Sequence, residues 1–168
     1  IAANLLLHDA PRPVAARGTD RILGRSSAAV DLRAAVRRLA PQGDATAVPS
    51  AVLVNGPRGA GKATLARAIF ECARSDHGPL TEADCSLGGA ALEAALSQTG
   101  GTLLLRHVDA LSAADQARLM RPLSGPDAPW ILATTTGNLA TQTREETFRA
   151  DLLYRIQVGW VNVPSLSE

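Results

Sequence analysis

Residues 52–64 read Val-Leu-Val-Asn-Gly-Pro-Arg-Gly-Ala-Gly-Lys-Ala-Thr. This is a buried strand, a glycine-rich loop and the first turn of a helix, in that order. Gly56, Gly59, Gly61 and Lys62 fit the phosphate-binding pattern G-x-x-x-x-G-K. The glycines let successive backbone N–H groups point inward at an anion. The helix that follows aims its positive end at the same spot, and Lys62 adds a full charge. The candidate nucleotide-binding residues are therefore Gly56, Pro57, Arg58, Gly59, Ala60, Gly61, Lys62, Ala63 and Thr64. The pattern normally ends in Ser or Thr, whose hydroxyl holds Mg²⁺. Ala63 stands there instead, and Thr64 comes one residue late. The expected ligand is ATP or ADP, with Mg²⁺ held weakly or not at all. The alternative is a strand-to-helix turn that binds nothing.

Around this unit, apolar runs alternate with helical spacing. A helix is expected from Ser26 or Ser27 to Leu39, with Ala29, Val30, Ala35, Val36, Leu39 and Ala40 apolar and Arg33, Arg37 and Arg38 solvated. Residues 41–49 read as a loop. Strands are expected at residues 51–55, 80–85, 102–105, 130–134 and 158–163. Helices are expected at residues 62–74, 89–98, 112–121 and 148–155, and a Pro/Gly-rich loop at 122–129. Alternation of this kind implies an α/β fold with a parallel sheet, whose ligand crevice lies at the carboxyl ends of the strands.

At 168 residues the chain is long enough for one full core. Aromatics make up only 3%, so that core must be built from Ala, Leu, Val and Ile. A net charge of +1 gives no global pull toward nucleic acid or membrane. Cys72 and Cys85 read as buried small hydrophobes in a reducing compartment, not as a metal site or disulfide framework. Trp130 and Trp160 fall on expected strands and read as packing residues; His8 and His77 read as surface residues. Residues 1–20 are expected to be a linker, and residues 21–168 one nucleotide-binding unit cut from a longer protein.

The ordered motifs resemble the central AAA+ domain of bacterial enhancer-binding proteins, the sigma-54-dependent transcriptional activators. Residues 21–26, Arg-Ile-Leu-Gly-Arg-Ser, are similar to that family's opening I-G-x-S element near the adenine, which brings Ile22 and Leu23 to the site. The phosphate loop is similar to its G-E-S-G-T-G-K, where Glu commonly follows the lysine. Leu65-Ala66-Arg67-Ala68-Ile69 matches L-V-A-R-A-I, and Asp84-Cys85 matches V-N-C. Residues 100–105 resemble G-G-T-L-F-L, residues 133–136 the sensor strand A-A-T-N, and residues 148–155 F-R-E-D-L-Y-Y-R. The last five residues resemble P-P-L-R-E. The resemblance implies a three-layer αβα P-loop NTPase subdomain, with the family's helical lid lying beyond Glu168.

Three departures bear on function. Arg106 and His107 stand where the family has Asp-Glu, the Mg²⁺ ligand and the group that polarises water. An arginine repels a cation, and Asp109 falls in the following turn. Residues 86–99 are too short to carry the G-A-F-T-G-A loop that touches sigma-54. Thr136 replaces the sensor Asn. Arg149 and Arg155 match the two arginines that reach a neighbour's γ-phosphate; the alternative is local pairing with Glu145, Glu146 or Asp151.

Three functions stay open on these residues. One is a regulator domain that binds nucleotide or oligomerises without efficient hydrolysis. Another is an ATPase using Arg106 and His107. The last is a structural module with a relic loop. The resemblance further implies a cytoplasmic protein that self-associates as a dimer or ring. It reaches DNA through another domain and RNA polymerase without a sigma-54 contact, and has no membrane partner.

Overall fold

The computed structural model describes residues 18–22, 24–40, 50–73, 78–98 and 100–165. Leu23, His8, His77, Arg74, the expected loop at 41–49 and residues 166–168 lie outside them. Five strands form one parallel sheet: β1 (Ala51–Asn55), β2 (Leu80–Asp84), β3 (Thr102–Arg106), β4 (Trp130–Thr135) and β5 (Gly159–Asn162). Their spatial order is β2-β3-β4-β1-β5. Burial follows that order. Every residue of β4 is buried, whereas β5, at the edge, alternates buried and exposed.

Alternate residues of each strand face opposite sides. Val52, Val54, Leu104, Leu132 and Val161 pack under α1 (Ser27–Leu39) and α2 (Lys62–Cys72). Leu53, Leu103, Leu105, Ile131 and Ala133 pack under three helices on the other face. These are α3 (Gly89–Leu96), α4 (Ala113–Leu123) and α6 (Ala150–Ile156). The result is three layers, helix on sheet on helix. Among the described residues no helix is long and apolar enough to cross a membrane.

Helix caps are where the sequence places them. The Ser26 hydroxyl accepts from the Ala29 amide, and that of Ser112 from Asp115. The details differ in several places. Val30 is exposed, so the buried stripe of α1 is Ala29, Ala35, Val36 and Leu39, backed by Leu32. Arg33 is half-buried rather than freely solvated. Its guanidinium donates to the Ile22 carbonyl at 3.0 and 3.2 Å and also to that of Gly24. Trp160 is no packing residue: it is 55% exposed, because β5 has no described neighbour on its outer edge, while Trp130 is buried. Helix α4 runs through Pro122, one residue past the expected stop at Arg121, and forgoes a backbone N–H bond at that position.

A further helix, α5 (Leu139–Arg144), lies where no element is expected. It carries a single buried apolar residue, Leu139, and is started by the Asn138 side chain accepting from Thr141. Both cysteines are buried, and burial pushes the Cys85 thiol up to about 12, which leaves it inert.

Candidate nucleotide-binding site

The phosphate loop joins β1 to α2 at the carboxyl edge of the sheet. Gly59 and Gly61 have φ of 77° and 82°, the left-handed region open to glycine. Gly56 is required for another reason: a Cβ there would lie 2.6 Å from the Val163 carbonyl oxygen. The Gly56 N–H donates to Thr135 O at 3.3 Å, tying the loop to β4. The Lys62 side chain folds back under the loop. Its Nζ donates to the carbonyls of Gly56 at 2.8 Å and Pro57 at 2.7 Å. Burial lowers its pKa, opposed by the charge of Asp109 and aided by Arg58.

Beside the loop opens a cavity of about 340 Å³. Its walls include Ile22, Ala29, Leu32, Ala60, Leu65 and Val163, and Gly61 and Thr64 stand at its polar side. Arg33 holds the carbonyl of Ile22, one of these walls, and that of Gly24. An apolar slot opening onto an anion cradle suits a flat base joined to phosphates.

At the end of β3 the basic pair is anchored to β2. Asp84 Oδ2 lies 3.6 Å from Arg106 Nη2, and Oδ1 lies 3.0 Å from His107 Nδ1. A carboxylate only accepts, so Nδ1–H is the donor of this pair. The Ser86 amide and hydroxyl also donate to Asp84 Oδ1, at 3.0 and 2.6 Å. Burial pushes Asp84 up, but the hydrogen bonds from Ser86 and His107 outweigh it and hold it at about 2. His107 sits at φ 55°, an unusual conformation that turns the chain sharply after the strand.

Asp109, in the turn after His107, is brought into the site. Its Oδ1 accepts from the Thr136 amide at 3.3 Å and its Oδ2 from the Thr136 hydroxyl at 3.0 Å. Burial opposes its ionisation, but the Thr136 hydroxyl and the other hydrogen bonds lower its pKa.

Arg149 and Arg155 are held within the chain. Arg149 makes a two-pronged pair with Asp151, at 2.7 and 3.0 Å. Arg155 Nη1 donates to the Leu123 carbonyl at 2.7 Å. Gln116, buried on α4, fixes this corner. Its amide donates to Leu111 O and Thr147 O and accepts from the Arg149 N–H.

The family model of the sigma-54 interaction domain matches residues 23–166. The chain belongs to that family. This sigma-54 interaction domain is 31% identical to the Nif-specific regulatory protein of Sinorhizobium fredii, over 94% of the chain and 32% of the relative. It is 28% identical to the transcriptional regulatory protein ZraR of Salmonella typhi, over 93% of the chain and 42% of the relative. It thus spans well under half the length of these curated relatives. Among solved structures, NtrX from Brucella abortus in complex with ATP superposes with a TM-score of 0.73 at 29% identity. That match covers 86% of this chain and 39% of NtrX. The P-loop NTPase domain of an E. coli sigma-54 activator shares the fold at 18% identity, with a TM-score of 0.64, covering 84% of this chain and all of that one.

The family implies Mg²⁺ with the nucleotide, and the donor set does not fit it. By the motif alignment Arg106 falls at the family's carboxylate position and Ala63 at the hydroxyl position. Among the described residues no three His, Cys, Asp or Glu side chains converge to hold a metal. The roles of Asp84, Arg33 and Gln116 were not legible in the sequence. For Asp84 the one signal was its place in the stretch resembling V-N-C.

Proposed function

We propose that this domain seats ATP or ADP at residues 56–64 and beside Ile22, and does not hydrolyse the nucleotide efficiently. The observation that carries the reading is the contrast between the two sides of the site. The phosphate loop, Lys62 and the adjoining slot are assembled, while Asp84 ties Arg106 and His107 down where an acidic pair would act. The NtrX structures with ATP and with ADP support nucleotide as the ligand class.

In the longer regulator the domain contributes binding and self-association, and Arg149 and Arg155 exchange their local partners for a neighbour's nucleotide. DNA is reached through another domain, in the cytoplasm. In this reading the domain does without a sigma-54 contact, since residues 86–99 are too short to carry the family's contact loop.

Isothermal titration with ATP and ADP, with and without Mg²⁺, tests the reading. Binding with little Mg²⁺ dependence and no phosphate release is expected, and binding is lost in Lys62→Ala. Replacing Arg106 by Asp together with His107 by Glu brings Mg²⁺ dependence. No change in that double variant refutes the placement of the pair.

One observation favours a second reading, an atypical ATPase. Asp84 takes the Nδ1–H of His107, which in a neutral ring leaves Nε2 to accept a water proton. Turnover that disappears in His107→Ala decides for it.

A further inference from the structure

Resting on the nucleotide reading above, we infer that Asp109 sets the phosphate preference of the site. Its carboxylate confronts the outermost phosphate, and the site takes nucleoside diphosphates in preference to triphosphates.

The argument starts from strand order. β4 lies between β1, which carries the phosphate loop, and β3, which leads into Asp109. The first amide of the loop, Gly56 N–H, is bonded to Thr135 at the end of β4. The next residue, Thr136, holds both oxygens of Asp109. The carboxylate is therefore pinned one residue from the point where the loop is tied to the sheet. It cannot swing away without giving up two hydrogen bonds. Gly137 leaves it room: a Cβ there would come within 3.2 Å of Oδ2.

In a loop of this type the backbone amides cradle the inner phosphates, and the lysine reaches the outer ones. Lys62 lies in the field of Asp109, so the carboxylate already shares the cation on which the outermost phosphate depends. Lys62 offsets this charge in part, and neither of the next two groups adds to it. Arg106 is turned to Asp84, and Ala63 supplies no metal-binding hydroxyl. A diphosphate ends short of the conflict, whereas a triphosphate adds negative charge beside a fixed anion.

The test is calorimetric titration of the purified chain with ADP and with ATP, each in EDTA and in excess Mg²⁺. Wild type, Asp109→Asn and Asp109→Glu are compared, and melting temperatures establish that the variants are folded. Asparagine keeps an acceptor for Thr136 without the charge; glutamate keeps the charge. Like charges a few ångströms apart at a partly screened site are worth about tenfold in affinity or more. Wild type should therefore prefer ADP by about that factor. Asp109→Asn should gain about tenfold for ATP and change less than about twofold for ADP. Asp109→Glu should keep the preference.

Equal affinities in wild type, or equal changes for both nucleotides in Asp109→Asn, overturn the inference and leave the nucleotide reading standing. Mg²⁺ that tightens ATP in wild type but not in Asp109→Asn also overturns it, since Asp109 is then a metal ligand. No binding of either nucleotide to wild type overturns the nucleotide reading itself, and this inference with it.

Discussion

Replacing Asp84 by Asn asks whether a partly buried charge holds the basic pair in place. The Asp84 side chain is 19% exposed and takes hydrogen bonds from the Ser86 amide, the Ser86 hydroxyl and the His107 ring. Burial acts to raise its pKa from 3.8, and the Ser86 and His107 bonds overcome it to bring the group to about 2. A carboxylate depressed in the folded state contributes stability that is fully present above 3.8 and is lost as the pH falls toward about 2. The shift corresponds to about 2 kcal/mol near neutrality.

Asparagine preserves the shape and one acceptor but carries no charge. Urea denaturation, followed by circular dichroism, measures the gap between wild type and Asp84→Asn. It should be about 2 kcal/mol near pH 7 and shrink to about 1 kcal/mol by roughly pH 3. A gap of that size that does not change with pH points to lost packing, and no gap near neutrality means that the charge holds nothing. Either result refutes the reasoning.

Gly56→Ala places a Cβ 2.6 Å from the Val163 carbonyl, a backbone atom that cannot turn aside. The variant should lose about 1–3 kcal/mol, read as a lower melting temperature, and bind ADP more weakly because the loop shifts with β1. Gln116→Ala leaves the Leu111 and Thr147 carbonyls and the Arg149 amide without their partner in a buried corner. It should cost about 3 kcal/mol in denaturant unfolding; a loss under about 1 kcal/mol means that water replaces the side chain.

Periodicity and local chemistry made much of this molecule readable from its sequence. Unbroken apolar runs such as residues 52–54 and 130–133, alternating with helical stripes, read as strands of a parallel sheet, and the family resemblance implied the three layers. The phosphate loop was equally plain, because Gly59 and Gly61 answer a backbone requirement that few other residues meet. Caps at Ser26 and Ser112 are contacts within three residues and need no knowledge of the rest of the chain. Short α5 escaped because its polar residues carry no helical stripe.

Tertiary structure decided what no spacing reveals. The strand order β2-β3-β4-β1-β5 brings residues far apart in sequence to one edge. Asp84 meets Arg106 and His107 because β2 pairs with β3, with Asp84 in register with Arg106. Asp109 meets Thr136 because β3 pairs with β4. Arg33 closes on Ile22 through the fold of the chain before α1. A sequence determines which groups are available. Only the register of neighbouring strands sets which charges stand within hydrogen-bonding distance, since one step of slip would carry each of them to the opposite face of the sheet.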